Sequence, residues 1–355
     1  MKVLRFPRLR TQDVKSGATL KVMEKLLEKM NKKSKDDTAG VSLLSESVFS
    51  SPKVFIPSGI VPLDCMVCYG LGFPVGIIEI YGPEASGKSA ILEFTLAESQ
   101  RRGYFTGLFP MEYSFDMERA MSVGIEPKRL FVFDECETIE DIYETIKKKV
   151  RIIRKEDKHT PIVFGWDTIA ATPTRTELDN PKGLEASDMG KFAAQFSKLF
   201  RRMVKFLQNN TVCLICINQT RTNIAQMWGN KETTFGGKAL KFYAWVRIRV
   251  RQSKKIEHGD EVVGIECEMM TTKNKVAPPF REAMLPIYWE GGIDNPKGVW
   301  AYATENSIFE LRKNNYRFNG DLVTKGAFRK FYRRHKDEID TACKLYSQGR
   351  WKFGE

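Results

Sequence analysis

Gly76-Ile-Ile-Glu-Ile-Tyr-Gly82-Pro83-Glu84-Ala85-Ser86-Gly87-Lys88-Ser89 is the stretch that decides the fold. An apolar run over Gly76–Tyr81 leads straight into G-x-x-x-x-G-K-[ST], and a helical pattern follows over 88–102. That order is strand, phosphate loop, helix. Glycines let the backbone curl so that successive N–H groups converge on phosphate oxygens, and the following helix N-terminus adds partial positive charge. Lys88 is placed to neutralise β- and γ-phosphates and the Ser89 hydroxyl to ligate magnesium. Gly82 to Ser89 are therefore the candidate nucleotide cradle, with ATP and Mg2+ as the implied cofactors. A glycine-rich turn with a chance lysine is the bland alternative, and the flanking strand and helix weigh against it.

Outward from the loop, short apolar runs recur at Thr106–Phe109, Leu130–Phe133, Pro161–Trp166, Val212–Asn218 and Val246–Arg251. Helical patterns over 115–123, 138–155 and 188–209 separate them, and 262–289 reads as further strands. Strands alternating with helices predict an α/β fold whose mostly parallel sheet is covered on both faces. The sites of such sheets lie at the carboxyl ends of the strands. Asp167, ending Pro161-Ile-Val-Phe-Gly-Trp-Asp167, is thus the candidate magnesium carboxylate, and Glu112, just beyond Thr106–Phe109, the candidate that activates water.

The chain has 355 residues, 42% hydrophobic and 28% charged, with a formal charge of +13. Residues 1–35 carry +8 and 311–355 carry +7, which leaves −2 in between. A nearly neutral body with two basic ends suggests a polyanionic partner, or two solvated helical faces. No apolar run is long enough to span a membrane, and the basic start lacks a secretory apolar stretch, so membrane and secreted classes are not expected. Seven cysteines suit a reducing compartment. Cys65/Cys68 and Cys213/Cys216 have C-x-x-C spacing, but Cys213 and Cys216 fall in a strand where residues three apart face opposite sides, so core packing is expected over metal binding. Leu20, Met23, Leu26, Leu27 and Met30 make one apolar stripe on a basic helix over 18–33, followed by a linker rich in Ser, Asp and Gly. After about residue 296 the pattern shifts to a small basic module with helices near 325–346.

Over Ile56–Glu290 the chain resembles the bacterial RecA recombinases and their phage-encoded relatives. The resemblance is carried by Ser58-Gly-Ile-Val-Pro-Leu-Asp64, the phosphate loop, Met111-Glu112, Asn218-Gln219-Thr-Arg221, Gly236-Gly237-Lys-Ala-Leu-Lys-Phe242-Tyr243 and Lys273-Asn-Lys275. It implies a RecA-like ATPase core over 56–293, an N-terminal polymerisation helix and linker over 1–55, and a basic C-terminal DNA-gathering module over 294–355. Glu112 matches the catalytic glutamate, Gln219 the γ-phosphate sensor, and Asp116 a residue at the adenine. Arg119 stands where the family has an adenine-stacking tyrosine. Lys273 and Lys275 resemble a pair that reaches ATP across the subunit interface, and Phe242 an interface aromatic.

For DNA, the resemblance points to Arg221, Thr222, Asn223, Ile224, Met227, Trp228, Gly236 and Gly237 in and beside one loop, and to Met189 and Arg201 at the other. Arg221 suits phosphates, while Ile224, Met227 and Trp228 offer apolar surface to bases. The implied activity is an ATP-dependent recombinase that forms helical filaments on single-stranded DNA and pairs it with homologous duplex. Single-strand-binding and loader proteins are possible partners, and the implied location is the cytoplasm of a bacterial cell or phage-infected host. A ring ATPase or helicase on the same fold, and a non-hydrolysing DNA-binding mediator, are the alternatives.

Overall fold

The computed structural model describes residues 25, 28, 54–112, 115–179, 188–222, 232–237, 239–312 and 315–349. Two units are distinguished, Met1–Ser51 and Pro52–Glu355. In the first, Lys25 and Glu28 are helical and exposed; the rest of the predicted helix over 18–33, and the linker up to residue 53, lie outside the described residues.

The second unit begins with β1 (Phe55–Ile56), α1 (Val61–Cys68), β2 (Phe73–Pro74), β3 (Gly76–Gly82), α2 (Lys88–Arg101), β4 (Phe105–Pro110), α3 (Met117–Val123) and β5 (Leu130–Val132). It continues through α4 (Ile139–Glu156), β6 (Ile162–Asp167), α5 (Arg175–Leu178), α6 (Asp188–Asn209), β7 (Val212–Thr222), β8 (Glu232–Thr234), α7 (Ala239–Tyr243) and β9 (Val246–His258). Then come β10 (Glu261–Asn274), β11 (Glu282–Tyr288), β12 (Gly292–Ile293), α8 (Asn295–Glu305), β13 (Glu310–Arg312), β14 (Asn315–Phe318), β15 (Asp321–Val323), α9 (Phe328–Arg334) and α10 (Lys336–Ser347). The main sheet runs β12-β11-β10-β9-β3-β7-β6-β4-β5. From β9 to β5 every pairing is parallel, and β10, β11 and β12 extend it antiparallel. This is the α/β architecture expected from the alternating runs.

Side-chain alternation divides the core. Ile78, Ile80, Cys213, Ile215 and Ile217 pack on one face with Ile91, Leu92 and Leu96 of α2. Ile77, Leu214 and Cys216 pack on the other with Ile142 and Ile146 of α4 and Phe196 and Phe200 of α6. Cys213 and Cys216 therefore lie on opposite sides of the sheet, as their spacing in a strand requires, and all seven cysteines are buried and free. Burial on both faces is what makes the central strands read as continuous apolar runs. A third cluster gathers Val299, Phe309, Phe318, Phe328, Tyr332 and Ile339 around Val61 and Cys65 of α1.

Three features depart from the sequence reading. The run expected to end at Arg251 continues to His258, because β9 runs on beyond its pairing with β3 as an edge strand beside β10, with its residues from Arg251 to Lys255 exposed. Polar residues on both wet faces hide such a strand from an apolar-run search. Helix α1 was read only as a motif; all eight of its residues are buried, so it has no polar face to give a helical period. Helix α8 and the hairpins β13–β15 precede the helices expected near 325–346.

The Ser58–Asp64 motif ties down the entry to α1. Asp64 Oδ1 accepts from Ser58 N–H at 2.9 Å and from the Ser58 hydroxyl at 2.6 Å. Burial pushes the Asp64 carboxyl up to about 7, against the lowering effect of those two donors. An acid whose folded pKa lies above its unfolded value of about 3.9 favours the folded state most at low pH. Its contribution declines as pH rises from about 4 to about 7. Asp64→Asn should therefore give a thermal midpoint that changes less than wild type across that window; parallel midpoint curves would refute the assignment.

Candidate functional site

The phosphate loop leaves β3 under close steric control. A Cβ on Gly82 would come 1.9 Å from the Val250 carbonyl oxygen, a backbone atom that cannot give way. Gly87 has φ +90°, and a Cβ there would meet Ile287 Cδ1 at 2.5 Å and Cys267 Sγ at 3.0 Å. Only glycine fits either place. Within the loop, the Ser86 hydroxyl donates to the Pro83 carbonyl at 2.8 Å, and the Cys267 thiol supports the Ser86 carbonyl at 3.0 Å. Lys88 is buried and folds back to donate to the Pro83 carbonyl, with Ser86 Oγ at 3.4 Å. Burial lowers its pKa, opposed by Asp167, Glu112 and Glu84.

Ser89, in the first turn of α2, and Asp167, at the end of β6, line the same cavity. Asp167 Oδ1 is buried with no hydrogen-bond partner, and burial raises the Asp167 pKa. A hydroxyl beside a carboxylate with a spare buried oxygen is the hard oxygen donor set that magnesium takes. The residues fit Mg2+. Glu112, two residues past β4, is exposed, and its Oε1 accepts from Gln219 Nε2 at 2.9 Å. Burial and Asp167 raise the Glu112 pKa, while Lys88 and the Gln219 hydrogen bond lower it. A cavity of ≈ 230 Å³ is lined by Ser89, Glu93, Glu112, Phe115, Arg119 and Asp167 among others. A larger one of ≈ 820 Å³ lies at the opposite end of α2, where Glu98 is already paired with Arg101 and Arg102.

Arg119 reaches this cavity in a way the sequence did not suggest. Its guanidinium is ion-paired with Glu93, a buried carboxylate on α2 one helical turn beyond Ser89. Asp116 is the N-cap of α3, accepting from the Arg119 N–H at 3.0 Å. Glu93 itself was missed. A carboxylate directly beside the apolar Ile91 and Leu92 of the helix was the available signal.

Lys273 and Lys275 do not line the cavity. Lys273 Nζ donates to the carbonyls of Lys241 and Phe242, at 2.5 and 2.9 Å, and Lys275 Nζ lies 3.4 Å from the Phe242 carbonyl. Both cations thus sit at the carbonyl end of α7, where a helix offers unpaired acceptors. Burial, with help from Lys275 and Arg247, pushes Lys273 down to about 8. The Phe242 side chain is 66% exposed.

Of the DNA candidates, Asn223, Ile224, Met227 and Trp228 lie outside the described residues. Met189 is on α6, and Arg221 and Thr222 are on β7. β7 pairs antiparallel with β8 through Thr220–Thr234, Arg221–Thr233 and Thr222–Glu232, so the two feet of the loop are zipped together. Gly236 and Gly237 follow with positive φ, Gly236 against the Phe196 ring. Arg201 is exposed on α6.

The family profile described as "RecA N-terminal domain" matches residues 21–294. Protein RecA of Geobacter sulfurreducens is 34% identical over 76% of this chain and 78% of its own. Protein RecA of Frankia casuarinae is 35% identical over 85% of each. A solved structure described as the RadB recombinase aligns with 67% of this chain and 98% of its own, at 19% identity and a TM-score of 0.48.

Two substitutions test this geometry. Glu112→Gln should keep nucleotide affinity while lowering the hydrolytic turnover by about 10²–10⁴-fold, measured in single turnover. Gln219→Ala removes a hydrogen bond that favours the Glu112 carboxylate, so the acid limb of its pH–rate profile should move to higher pH. An unmoved limb would detach Gln219 from Glu112 function.

Proposed function

The chain belongs to the RecA family, and on that premise we propose how its own residues carry out the family's activity. It is an ATP-dependent DNA recombinase and DNA-dependent ATPase that uses ATP with Mg2+. The family binds single-stranded DNA and assembles on it as filaments.

In the proposed mechanism, the amides of Gly82 to Ser89 and the α2 N-terminus hold the phosphates, and Lys88 exchanges the Pro83 carbonyl for an anionic oxygen. Ser89 and Asp167 would hold magnesium, which would supply charge neutralisation to the bound phosphates. Glu112 orients and deprotonates water for attack on the γ-phosphate. Asp116 and Arg119 lie at the base, with the guanidinium plane offered for stacking. Lys273 and Lys275 serve the nucleotide of a neighbouring protomer, and Phe242 packs at that interface. Arg221, Thr222, Asn223, Ile224, Met227, Trp228, Gly236 and Gly237, with Met189 and Arg201, contact DNA.

One observation carries this reading: the 2.9 Å hydrogen bond from Gln219 to Glu112. Gln219 begins the foot of the DNA loop, so the group that activates water and the loop that meets DNA share a contact. Residues 1–55 then serve assembly, and 294–355 gather homologous duplex DNA. Single-strand-binding and loader proteins are the proposed accessory partners, in the cytoplasm of a bacterial cell or an infected host. Among the described residues no helix is long and apolar enough to cross a membrane.

ATP turnover should rise strongly with single-stranded DNA, and Arg221→Ala should lose that rise while still binding ATP. Each phosphate neutralised should add about −0.7 to the slope of log affinity against log salt. Turnover indifferent to DNA would instead support the ring-ATPase alternative.

A further inference from the structure

Glu79, in the middle of β3, is a carboxylate with no exposure at all, three residues before the phosphate loop begins. Its two oxygens are taken from opposite sides. Arg247, on β9, donates its Nε to Oε2 in an ion pair whose side chains are 8% and 0% exposed. Asn218, on β7, donates its amide to Oε1 at 2.9 Å. The same Asn218 amide donates to the Phe235 carbonyl at 3.0 Å, and Asn218 Oδ1 accepts from the Gln219 N–H at 2.9 Å.

These contacts meet at the root of the DNA loop. Gln219 is where the outgoing foot starts, and Phe235 is where the returning foot ends, one residue before Gly236-Gly237. On the other side, the Arg247 guanidinium lies over the Tyr81 ring at 4.5 Å, and Tyr81 donates to Thr272 Oγ1 at 2.9 Å. Thr272 is the residue before Lys273. One buried charge therefore links the strand of the phosphate loop, both feet of the DNA loop, and the strand bearing Lys273.

We propose that Glu79, Asn218 and Arg247 form a positioning unit that couples the DNA loop to the nucleotide site. An uncharged core would hold these strands together equally well. A buried carboxylate held by two different neighbours adds a demand on geometry: displacing the outgoing foot strips it of Asn218, a donor it cannot replace from water, and displacing the returning foot takes the Phe235 carbonyl from the same amide. The loop feet, Gln219 and the phosphate-loop strand then move as a set. Asn218 is the directional element: its amide has two hydrogens, one committed to Glu79 and one to the returning foot.

The inference rests on the recombinase reading above, so one experiment is chosen to separate the two. ATP turnover is measured with and without single-stranded DNA. Nucleotide dissociation constants are measured alongside, and single-stranded DNA affinity is compared with a non-hydrolysable ATP analogue and with ADP. Asn218→Ala removes the clasp but leaves the Glu79–Arg247 pair intact. It should lower the DNA stimulation factor, and the ratio of the two DNA affinities, by at least about fivefold, while nucleotide affinity changes by less than about threefold. Arg247→Lys keeps a cation against Glu79 and gives the same readout should Asn218→Ala fail to fold. A folded variant with wild-type stimulation and a wild-type affinity ratio overturns the proposal. Wild-type protein whose turnover ignores DNA overturns the recombinase reading, and this inference with it.

Discussion

The parallel register of four strands is the constraint on which the site depends. Gly82, at the end of β3, is paired with Gln219 on β7, and Pro110, at the end of β4, with Asp167 on β6. Two further residues carry the chain from Pro110 to Glu112. The phosphate loop, Gln219, Asp167 and Glu112 thus emerge along one end of the sheet although they lie far apart in sequence. In a parallel sheet a shift of one residue also turns side chains to the other face, and here both faces are packed. The core that stabilises the sheet therefore also sets the distances at the site.

Electrostatics then decides what that edge can bind. Glu112 and Asp167 face the buried Lys88, and Glu93 faces Asp167 and Arg119; burial raises all three carboxyl pKa values while lowering that of Lys88. The charged form of each group is less favoured than in water. A cation between Ser89 and Asp167, and an anion on Lys88, would favour the charged forms together. The loop meanwhile satisfies its own donors, Lys88 and Ser86 both bonding to the Pro83 carbonyl, so binding exchanges a neutral acceptor for a charged one.

Much of this was legible in the sequence, for identifiable reasons. The phosphate loop has a strict spacing because a backbone nest needs glycine at fixed positions. Asp167 and Glu112 follow from the rule that such sites lie at strand ends. Resemblance singled out Gln219 and Glu112 separately, and their contact was not legible, since no spacing rule joins residues 107 apart. Glu93 escaped notice because its partner, Arg119, is 26 residues away and the pair exists only when α2 packs on α3. Asn218 appeared within a motif, but its hydrogen bond to Glu79 reaches a carboxylate 139 residues earlier in the chain. Local pattern reveals groups that serve the backbone beside them, and long-range polar pairs need the fold.

The placement of Lys273 and Lys275 bears on assembly. Both are held at the carbonyl end of α7, beside an exposed Phe242, and neither lines the cavity of its own chain. On the proposed reading, their charge completes a site on the next protomer, so the nucleotide gains contacts only in the assembled state. Any ligand that binds the assembly better than the free chain must favour assembly by that same difference in free energy. Because Lys273 is shifted down to about 8, part of its charge is lost as pH rises through that value, and the inter-protomer contribution should weaken in the same range. An anionic phosphate brought against it by a neighbour would raise that pKa again. On that reading, assembly and protonation of Lys273 reinforce one another.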